Sequence, residues 1–486
     1  MTLWWSTLCV AAPLLAAVLL FLRPARGMAI ALVAVTLVLV GALGLASVLH
    51  ASGPQAIAIG GWEAPLGIGW RIDGLTVTML LMAALVGWPV TVYAHGYFAG
   101  TATAGHYFWP LWMLLLSALC ALFLSNDLFN WYVTLELLGL SAVALVTLSG
   151  KKPALDAAQR YLFTGLVGSL LYLLGVALIY RAYGVLDTGL LRPVVEPSLT
   201  VWVALGLMSV GLLMKSAVFP LHFWLPAAHG SAPAPVSAIL SALVVKGAFY
   251  ILVRLWLDLV PGGLPDVVAV LPGAMGAGAI IWGSVQAIRA TRLKMLVAYS
   301  TVAQLGYLAL FFPLSEAGEW GDAALTGLVY FMLAHACAKG AMFLAAGNLQ
   351  RAAGHDDLAG LAPSAQALPV SMFAFAIGGV SIMGLPPSGG FIAKWTLLNA
   401  AIGSGGWIWV IILVAGGLLS ACYIFRVLAL SFTQDDSGFE QPPGTAGVAK
   451  SSEWASLLLA SIALLLGLNA LPILDLLSIG LPEVRL

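Results

Sequence analysis

Residues 213–229 read Leu213-Met-Lys-Ser-Ala-Val-Phe-Pro-Leu-His-Phe-Trp-Leu-Pro-Ala-Ala-His229. They place one lysine, Lys215, in an apolar run that two prolines and two histidines interrupt. Proline removes a backbone donor, and the carbonyl groups that it frees need protein or trapped water as partners inside a membrane. A lysine in such a run is costly in lipid unless it faces protein or water. The stretch therefore predicts a broken membrane helix that carries a function.

The composition places this stretch in a polytopic membrane protein. Of the 486 residues, 62% are hydrophobic and 8% are charged, whereas soluble domains carry about 25% charged residues. The 20 basic and 20 acidic residues balance, so we expect neither a nucleic-acid partner nor an acidic tail. The cysteines lie singly in apolar runs, which favours helix packing over a metal site or a disulfide framework; they are Cys9, Cys120, Cys337 and Cys422.

A helix needs about twenty apolar residues to cross a bilayer. Such runs predict an all-α fold with about fourteen transmembrane helices, the twelfth stopping at Pro386-Pro387 and resuming from Phe391 to Ala401. The predicted spans are residues 4–22, 28–49, 74–94, 108–125, 128–149, 161–180, 200–219, 234–257, 266–288, 295–313, 325–346, 367–385, 405–432 and 454–474.

Basic residues should collect in the cytoplasmic loops. With the first loop inside, the inside set is Arg23, Arg26, Lys151, Lys152, Arg160, Arg289, Arg292, Lys294, Arg351, Arg426 and Lys450. The outside set is Arg71, Arg181, Arg192, Arg254 and Arg485. The bias predicts a multi-pass protein of the cell (inner) membrane with both termini outside the cytoplasm. Residues 50–73 alternate apolar and turn residues, which predicts a short external hairpin.

Few ionisable residues remain inside the predicted spans. They are the lysines Lys215, Lys246, Lys339 and Lys394 and one mid-depth acid, Glu136. Burial disfavours the charged form of each, so the groups can exchange protons, and a series of them makes a relay. Glu136 lies eight residues into the fifth helix, about 12 Å down. It is either a structural ion-pair partner, a permanently protonated carboxyl, or a switchable acid paired with Lys215.

Two histidines are secondary candidates. His222 and His229 follow the prolines of the seventh helix, and imidazole titrates near neutral pH. They are either members of the proton pathway or hydrogen-bonding groups at the cytoplasmic end of the helix. No Rossmann glycines, P-loop, haem ligands or cysteine cluster is found, so we expect no cofactor, no metal and no enzyme active site in the chain itself.

Four long motifs resemble the proton-translocating antiporter-like membrane subunits. This family includes Mrp-type sodium/proton antiporter subunits and the pump subunits of respiratory complex I and membrane-bound hydrogenases. The first motif runs from Met214 to Lys246. The others are Thr291-Arg-Leu-Lys-Met-Leu-Val-Ala-Tyr-Ser-Thr-Val-Ala-Gln-Leu-Gly306, His335-Ala-Cys-Ala-Lys339 and Gly384-Leu-Pro-Pro-Ser-Gly-Gly-Phe-Ile-Ala-Lys394-Trp.

The resemblance implies an organisation of two inverted five-helix repeats, with broken helices 7 and 12. The expected divisions are residues 1–107 for helices 1–3 and the hairpin, 108–257 for the first repeat, 258–432 for the second, and 433–486 for a cytoplasmic loop and helix 14.

The resemblance also implies a role for each buried group. Glu136 and Lys215 match the charge pair, and Lys246 matches the central proton carrier. His335 and Lys339 match the connecting groups, and Lys394 matches the exit-side residue.

The implied function is proton translocation by one subunit of a multi-subunit cation/proton antiporter, similar to the D-type subunit of Mrp antiporters. A lysine at position 394 fits both the D-type Mrp subunits and those complex I subunits that carry lysine there. The alternative function is therefore that of a proton-pumping subunit of a complex I-like or hydrogenase redox complex. The expected partners are other membrane subunits, protons, the lipid bilayer and, for an antiporter, Na⁺ as the candidate cation. A self-sufficient secondary transporter, an inert scaffold and a quinone-site enzyme are the remaining readings.

Overall fold

The structure is a computed structural model of the chain. It describes residues 1–99, 102–260, 266–316, 318–432 and 447–480. Those residues are almost entirely helical, and one two-stranded sheet lies among them. The predicted all-α polytopic fold is confirmed.

The helices and strands of the first half, as far as the eighth predicted span, begin and end as follows. They are α1 (Thr2–Leu22), α2 (Gly27–Ser52), β1 (Gln55–Ala58), β2 (Gly69–Ile72), α3 (Gly74–Phe98), α4 (Ala102–Leu124), α5 (Leu128–Thr147), α6 (Lys152–Tyr183), α7 (Thr188–Leu191), α8 (Leu199–Lys215), α9 (Leu225–Ser231), α10 (Ala234–Ile239) and, after one π-helical turn at Leu240–Val244, α11 (Val245–Leu259).

The second half continues with helices alone in the described residues. They are α12 (Asp266–Arg289), α13 (Leu293–Ala309), α14 (Phe311–Ser315), α15 (Gly321–Ala353), α16 (Ala362–Ala367), α17 (Pro369–Met383), α18 (Gly389–Gly403), α19 (Trp407–Leu428), α20 (Lys450–Leu468) and α21 (Leu471–Leu477).

Twelve helices of the described chain are long and apolar enough to cross a membrane. Two shorter apolar helices, α8 and α17, are each followed by another helix across a break, α9 and α18. Together they account for the fourteen predicted spans. A break falls in the fourth span of each predicted five-helix run, as expected for helices 7 and 12.

Left-handed backbone and proline explain both breaks. After Lys215 ends α8, Ala217 takes a positive φ of 53°, and Pro220 follows without a backbone donor. The second break begins at Gly384, whose φ of 81° is open to glycine without steric cost, and Pro386-Pro387 follows it. Ser388 then starts α18 by accepting a hydrogen bond from the backbone N–H of Phe391 at 3.2 Å.

The hairpin predicted within residues 50–73 is confirmed as a short antiparallel sheet. Strand β1 pairs with β2 so that Gln55 lies opposite Ile72 and Ala58 opposite Gly69. The hairpin leads into Asp73, whose side chain caps α3 by accepting from the backbone N–H of Thr76 at 2.9 Å.

Two basic residues were wrongly assigned to loops. Arg254 lies inside α11 with 2% exposure, because its guanidinium pairs with the buried carboxylate of Asp73. Lys294 lies in the first turn of α13, also with 2% exposure, because its amine donates to the backbone carbonyl of Ala232. The predicted number of four interior lysines is therefore too low by one. Loop charge counts miss such residues because sequence alone does not show how a helix end is covered.

Two smaller expectations differ from the structure. Cys422 is exposed on the outer surface of α19 and does not pack inside, unlike the buried Cys9, Cys120 and Cys337. The fourteenth span ends at Leu468, since Pro472 starts a new short helix, α21. Arg485 and residues 433–446 of the predicted cytoplasmic loop lie outside the described residues.

Candidate functional site

The charge pair predicted between α5 and α8 is present. The Lys215 amine donates to Oε1 of Glu136 at 3.0 Å, and Ser169 of α6 also donates to that oxygen. The Lys215 and Glu136 side chains are 10% and 22% exposed. A cavity of about 30 Å³ borders the pair, which is room for at least one water molecule.

Lys246 lies at the centre of the bundle with no exposed surface. Its amine is 2.7 Å from Nδ1 of His335 on α15 and donates to the carbonyl of Ser241 at 2.6 Å. That carbonyl belongs to the π-helical turn at Leu240–Val244. Such turns are frequent at functional sites because they displace backbone groups from the regular α-helical pattern. Lys246 therefore has a neutral, polar environment supplied by two helices.

Hydroxyl and carbonyl groups surround both Lys246 and Lys339. The hydroxyl of Ser241 lies 3.0 Å from that of Thr301 on α13, which donates to the carbonyl of Val297 at 3.1 Å. The amine of Lys339 donates to the same carbonyl at 3.1 Å and to the hydroxyl of Ser300. Because Lys246 bonds the backbone carbonyl of Ser241 and not its hydroxyl, these contacts give both fully buried amines polar partners but do not form an unbroken chain of hydrogen bonds between them.

Lys394 lies on α18 directly after the second break. Its amine donates to the carbonyl of Ile382 at 2.7 Å, near the end of α17, where the break leaves carbonyl groups without helical partners. It also lies 4.1 Å from the ring centre of Tyr307, which favours a cation–π contact. The side chain is thus held by the geometry of the broken helix.

The two secondary histidines differ in their surroundings. His229 is fully buried against the ring of Phe343, with centroids 4.8 Å apart, and neither ring nitrogen has a hydrogen-bond partner in the described part of the chain. His222 is 9% exposed and stacks on Phe219. Among the described residues, no hydrogen bond joins either ring to the central lysines.

The predicted residues form three groups. Glu136 contacts Lys215, and Lys246 contacts His335, which shares one face of α15 with Lys339. Lys394 has no hydrogen bond to these groups among the described residues. Val244 and Ala248, which line the cavity beside the charge pair, lie two residues on either side of Lys246. Residues two apart point to roughly opposite sides of a helix, so α11 itself separates the charge pair from the Lys246 amine. No hydrogen bond among the described residues crosses that helix between them.

Sequence reasoning missed the hydroxyl groups and Lys294. Ser241, Ser300 and Thr301 are fully buried, and their types are common in membrane-helix packing, so they give little signal alone. A signal existed in the motif Thr291–Gly306, where Ser300 and Thr301 follow Lys294 by six and seven residues on a predicted span.

The fold and these contacts define a polytopic membrane protein with two discontinuous helices and ionisable groups buried along its interior. A family model described as "NADH:quinone oxidoreductase/Mrp antiporter, TM" matches residues 125–420. A second model, "NADH-Ubiquinone oxidoreductase (complex I), chain 5 N-terminus", matches residues 58–108. The chain belongs to the NADH:quinone oxidoreductase/Mrp antiporter transmembrane family.

Individual relatives come from both branches of this family. The N-type subunit of the NADH-quinone oxidoreductase of Desulforudis audaxviator is 35% identical over 412 residues, covering 84% of this chain and 80% of that protein. The D-type subunit of the Na(+)/H(+) antiporter of Alkalihalophilus pseudofirmus is 28% identical over 403 residues, covering 82% and 80%. A chain in the structure of the membrane-bound sulfane sulfur reductase, an archaeal respiratory membrane complex, superposes with a TM-score of 0.89 at 26% identity, covering 99% and 97%.

Proposed function

We propose that the chain is the proton-translocating subunit of a multi-subunit cation/proton antiporter, similar to the D-type subunit of Mrp antiporters. The 2.7 Å contact between Lys246 and His335 carries this proposal, with Lys339 four residues from His335 on the same face of α15. Family membership supports it, and so does the relative named as a subunit of a Na(+)/H(+) antiporter. The chain has no active site of its own in this proposal and works with other membrane subunits.

The proposed pathway uses the groups in series. Protons reach Lys246 through a hydrated half-channel, pass by His335, Lys339 and water to Lys394, and leave on the opposite face. His222 and His229 are candidates for the entry side. The two predicted five-helix repeats, residues 108–257 and 258–432, supply the two sides of this route. We also propose that both termini face away from the cytoplasm.

The pair of Glu136 and Lys215 serves as the gate in this mechanism. Opening the 3.0 Å contact leaves the Lys215 ammonium without its carboxylate. The uncompensated positive charge favours proton loss from Lys215 itself or from Lys246 across α11. The energy comes from outside the chain, as a sodium gradient, an adjacent subunit or redox chemistry.

A second candidate function is proton pumping in a complex I-like redox complex. The observation that favours it is the relative at 35% identity, a subunit of an NADH-quinone oxidoreductase. Vesicles that carry the whole native complex distinguish the two. A pulse of Na⁺ dissipates a preset pH gradient if the complex is an antiporter. A pH gradient that forms on addition of reductant and quinone, and that does not depend on Na⁺, identifies the redox complex and contradicts the antiporter proposal.

Glu136→Gln is expected to lower proton transport by about tenfold, because a hydrogen bond to a charged group contributes about 1.5–3 kcal/mol. The measurement is the initial rate of pH-gradient dissipation in vesicles with equal amounts of assembled complex. Glu196→Gln, which changes an exposed acid, serves as the control and should transport at the normal rate. Equal rates in the two variants would remove the gate from the mechanism.

Ser300→Ala is expected to slow transport by about tenfold without changing assembly, because Lys339 loses a hydroxyl partner worth about 1.5 kcal/mol or more. Ser284→Ala is the matched control, since Ser284 is also buried but its hydroxyl has no partner within the described chain. If both variants transport alike, the Ser300 hydroxyl takes no part in proton transfer by Lys339.

A further inference from the structure

A cavity of about 540 Å³ opens where the ends of several helices meet. The end of α3, the start of α4, the end of α5, the start of α6, the α9–α10 junction, the start of α13 and the end of α15 enclose it. Four basic side chains line it: Lys151, Arg292, Lys294 and Arg351. No carboxylate is among its described lining residues.

We infer that this cavity binds a phosphate group, carried either by an anionic phospholipid or by a free phosphate ion. The proposal is independent of proton transport. It rests on the balance of charge around the cavity, on its size, and on one lining residue, Ser149, whose hydroxyl has no partner in the described part of the chain.

Three of the four cations have no carboxylate partner within ion-pair distance among the described residues. Arg292 pairs with Asp356 at 2.9 Å. In contrast, Lys294 donates to the carbonyl of Ala232, and Arg351 donates to the carbonyls of Gly96 and Tyr97 at 3.1 and 2.7 Å. The carbonyls satisfy the N–H groups of Lys294 and Arg351 but carry no negative charge. Asp356, the partner of Arg292, also lies near Lys294, so the four cations face one carboxylate and keep a net positive charge that stabilises an anion in the cavity.

Burial distinguishes Lys294 from a lysine in an ordinary basic loop, whereas Lys151 and Arg292 are exposed. A solvated loop lysine extends into water, whereas Lys294 is 2% exposed. Arg351 is fixed over the ring of Tyr97 with 5.5 Å between its guanidinium carbon and the ring centre. Two cations are therefore positioned before any ligand binds, which lowers the entropy cost of binding.

The remaining lining fits the chemistry of a phosphate group. Ser149 lines the cavity, and its buried hydroxyl has no partner in the described part of the chain. Guanidinium, ammonium and hydroxyl groups are the side-chain donors that bind phosphate oxygens. A site at the ends of membrane helices also lies at the depth of lipid headgroups.

The test compares the purified whole complex with three variants, Lys151→Gln, Lys151→Gln/Arg351→Gln and Lys152→Gln. Lys152 is the matched control, because it is the exposed neighbour of Lys151 and is not a lining residue. Two probes are used: radiolabelled inorganic phosphate in equilibrium dialysis, and nanodiscs of phosphatidylglycerol or phosphatidylcholine followed by native mass spectrometry of retained lipid.

We expect the wild type and Lys152→Gln to bind one of the probes equally. The double variant should lose at least about tenfold in occupancy, and Lys151→Gln alone about threefold, because charge-assisted hydrogen bonds to phosphate are removed. Selective retention of phosphatidylglycerol identifies the headgroup as the ligand, and binding of inorganic phosphate identifies the free ion. The inference is overturned if neither probe binds the wild type, or if both bind all four proteins alike. Because Lys151 is exposed, its single variant tests the site even if the double variant does not assemble.

Discussion

Lys246→Met is expected to lower proton transport by at least about 100-fold, since a positioned proton-transfer group typically contributes about 10²–10⁴ in rate. Methionine has nearly the length of lysine but cannot hold a proton, so the packing changes little while the central amine is lost. His335 and the carbonyl of Ser241 then lose the partner that lies between them. The measurement is the initial rate of pH-gradient dissipation in vesicles with the complete complex.

Two further variants separate proton carriage from charge. Lys246→Arg keeps a positive side chain that does not release its proton in proteins, and it should be as inactive as Lys246→Met. Lys152→Met changes an exposed lysine and should transport at the normal rate. Full transport by correctly assembled Lys246→Arg would show that residue 246 acts only by its charge, and full transport by Lys246→Met would remove the relay altogether.

The sequence predicted the spans and the two breaks because both depend on local chemistry. Long apolar runs show the spans, and Pro220 and Pro386 interrupt them by removing backbone donors. The lysine positions were equally visible, because a charged residue stands out in such runs. The contact between His335 and Lys246 spans 89 residues of sequence, so only the family resemblance linked the two before the structure placed them together.

Other parts of the site had no local signal. The π-helical turn before Lys246 consists of Leu240–Val244, whose residue types also suit a regular α-helix. Its wider turn depends on packing against the neighbouring helices. Arg254 and Lys294 lie near helix ends, where a basic residue ordinarily points toward water. Their burial depends on Asp73 and on the carbonyl of Ala232, which come from distant parts of the chain.

The buried ion pair between α3 and α11 leads to the second large effect. Asp73→Asn is expected to destabilise the folded protein by about 3–5 kcal/mol, because it leaves a buried guanidinium without its carboxylate. Arg254 donates to both oxygens of Asp73, at 2.8 and 2.6 Å, and Arg71 lies 2.8 Å from the same carboxylate. Tyr250 and Thr76 accept two of the other N–H groups of Arg254, so its position is fixed.

Acid should weaken the same ion pair in the wild type, by a smaller amount. Burial alone raises the pKa of Asp73, but the positive charges of Arg254 and Arg71 outweigh it and hold the pKa at about 2. Since this value lies below the usual pKa of about 3.9 for aspartate, the pair contributes its full stability above about pH 4 and loses it as the pH falls toward 2. Asp73→Asn should lack this part of the acid sensitivity.

Thermal unfolding of this chain within the purified complex in detergent measures both losses of stability, the one caused by Asp73→Asn and the one caused by acid in the wild type. Asp475→Asn is the control, because Asp475 is an exposed acid in α21 and its neighbour Leu476 packs near the start of α3. This variant should unfold like the wild type.

The double variant Asp73→Asn/Arg254→Met removes the uncompensated charge and should recover part of the stability that Asp73→Asn loses. That recovery distinguishes a buried charge from a simple packing defect, because a packing defect would make the double variant less stable than either single one. If Asp73→Asn and Asp475→Asn unfold at the same temperature, the Asp73–Arg254 ion pair contributes nothing to the attachment of α11. Lys246, which lies on α11, would then be held at the centre of the bundle by helix packing alone.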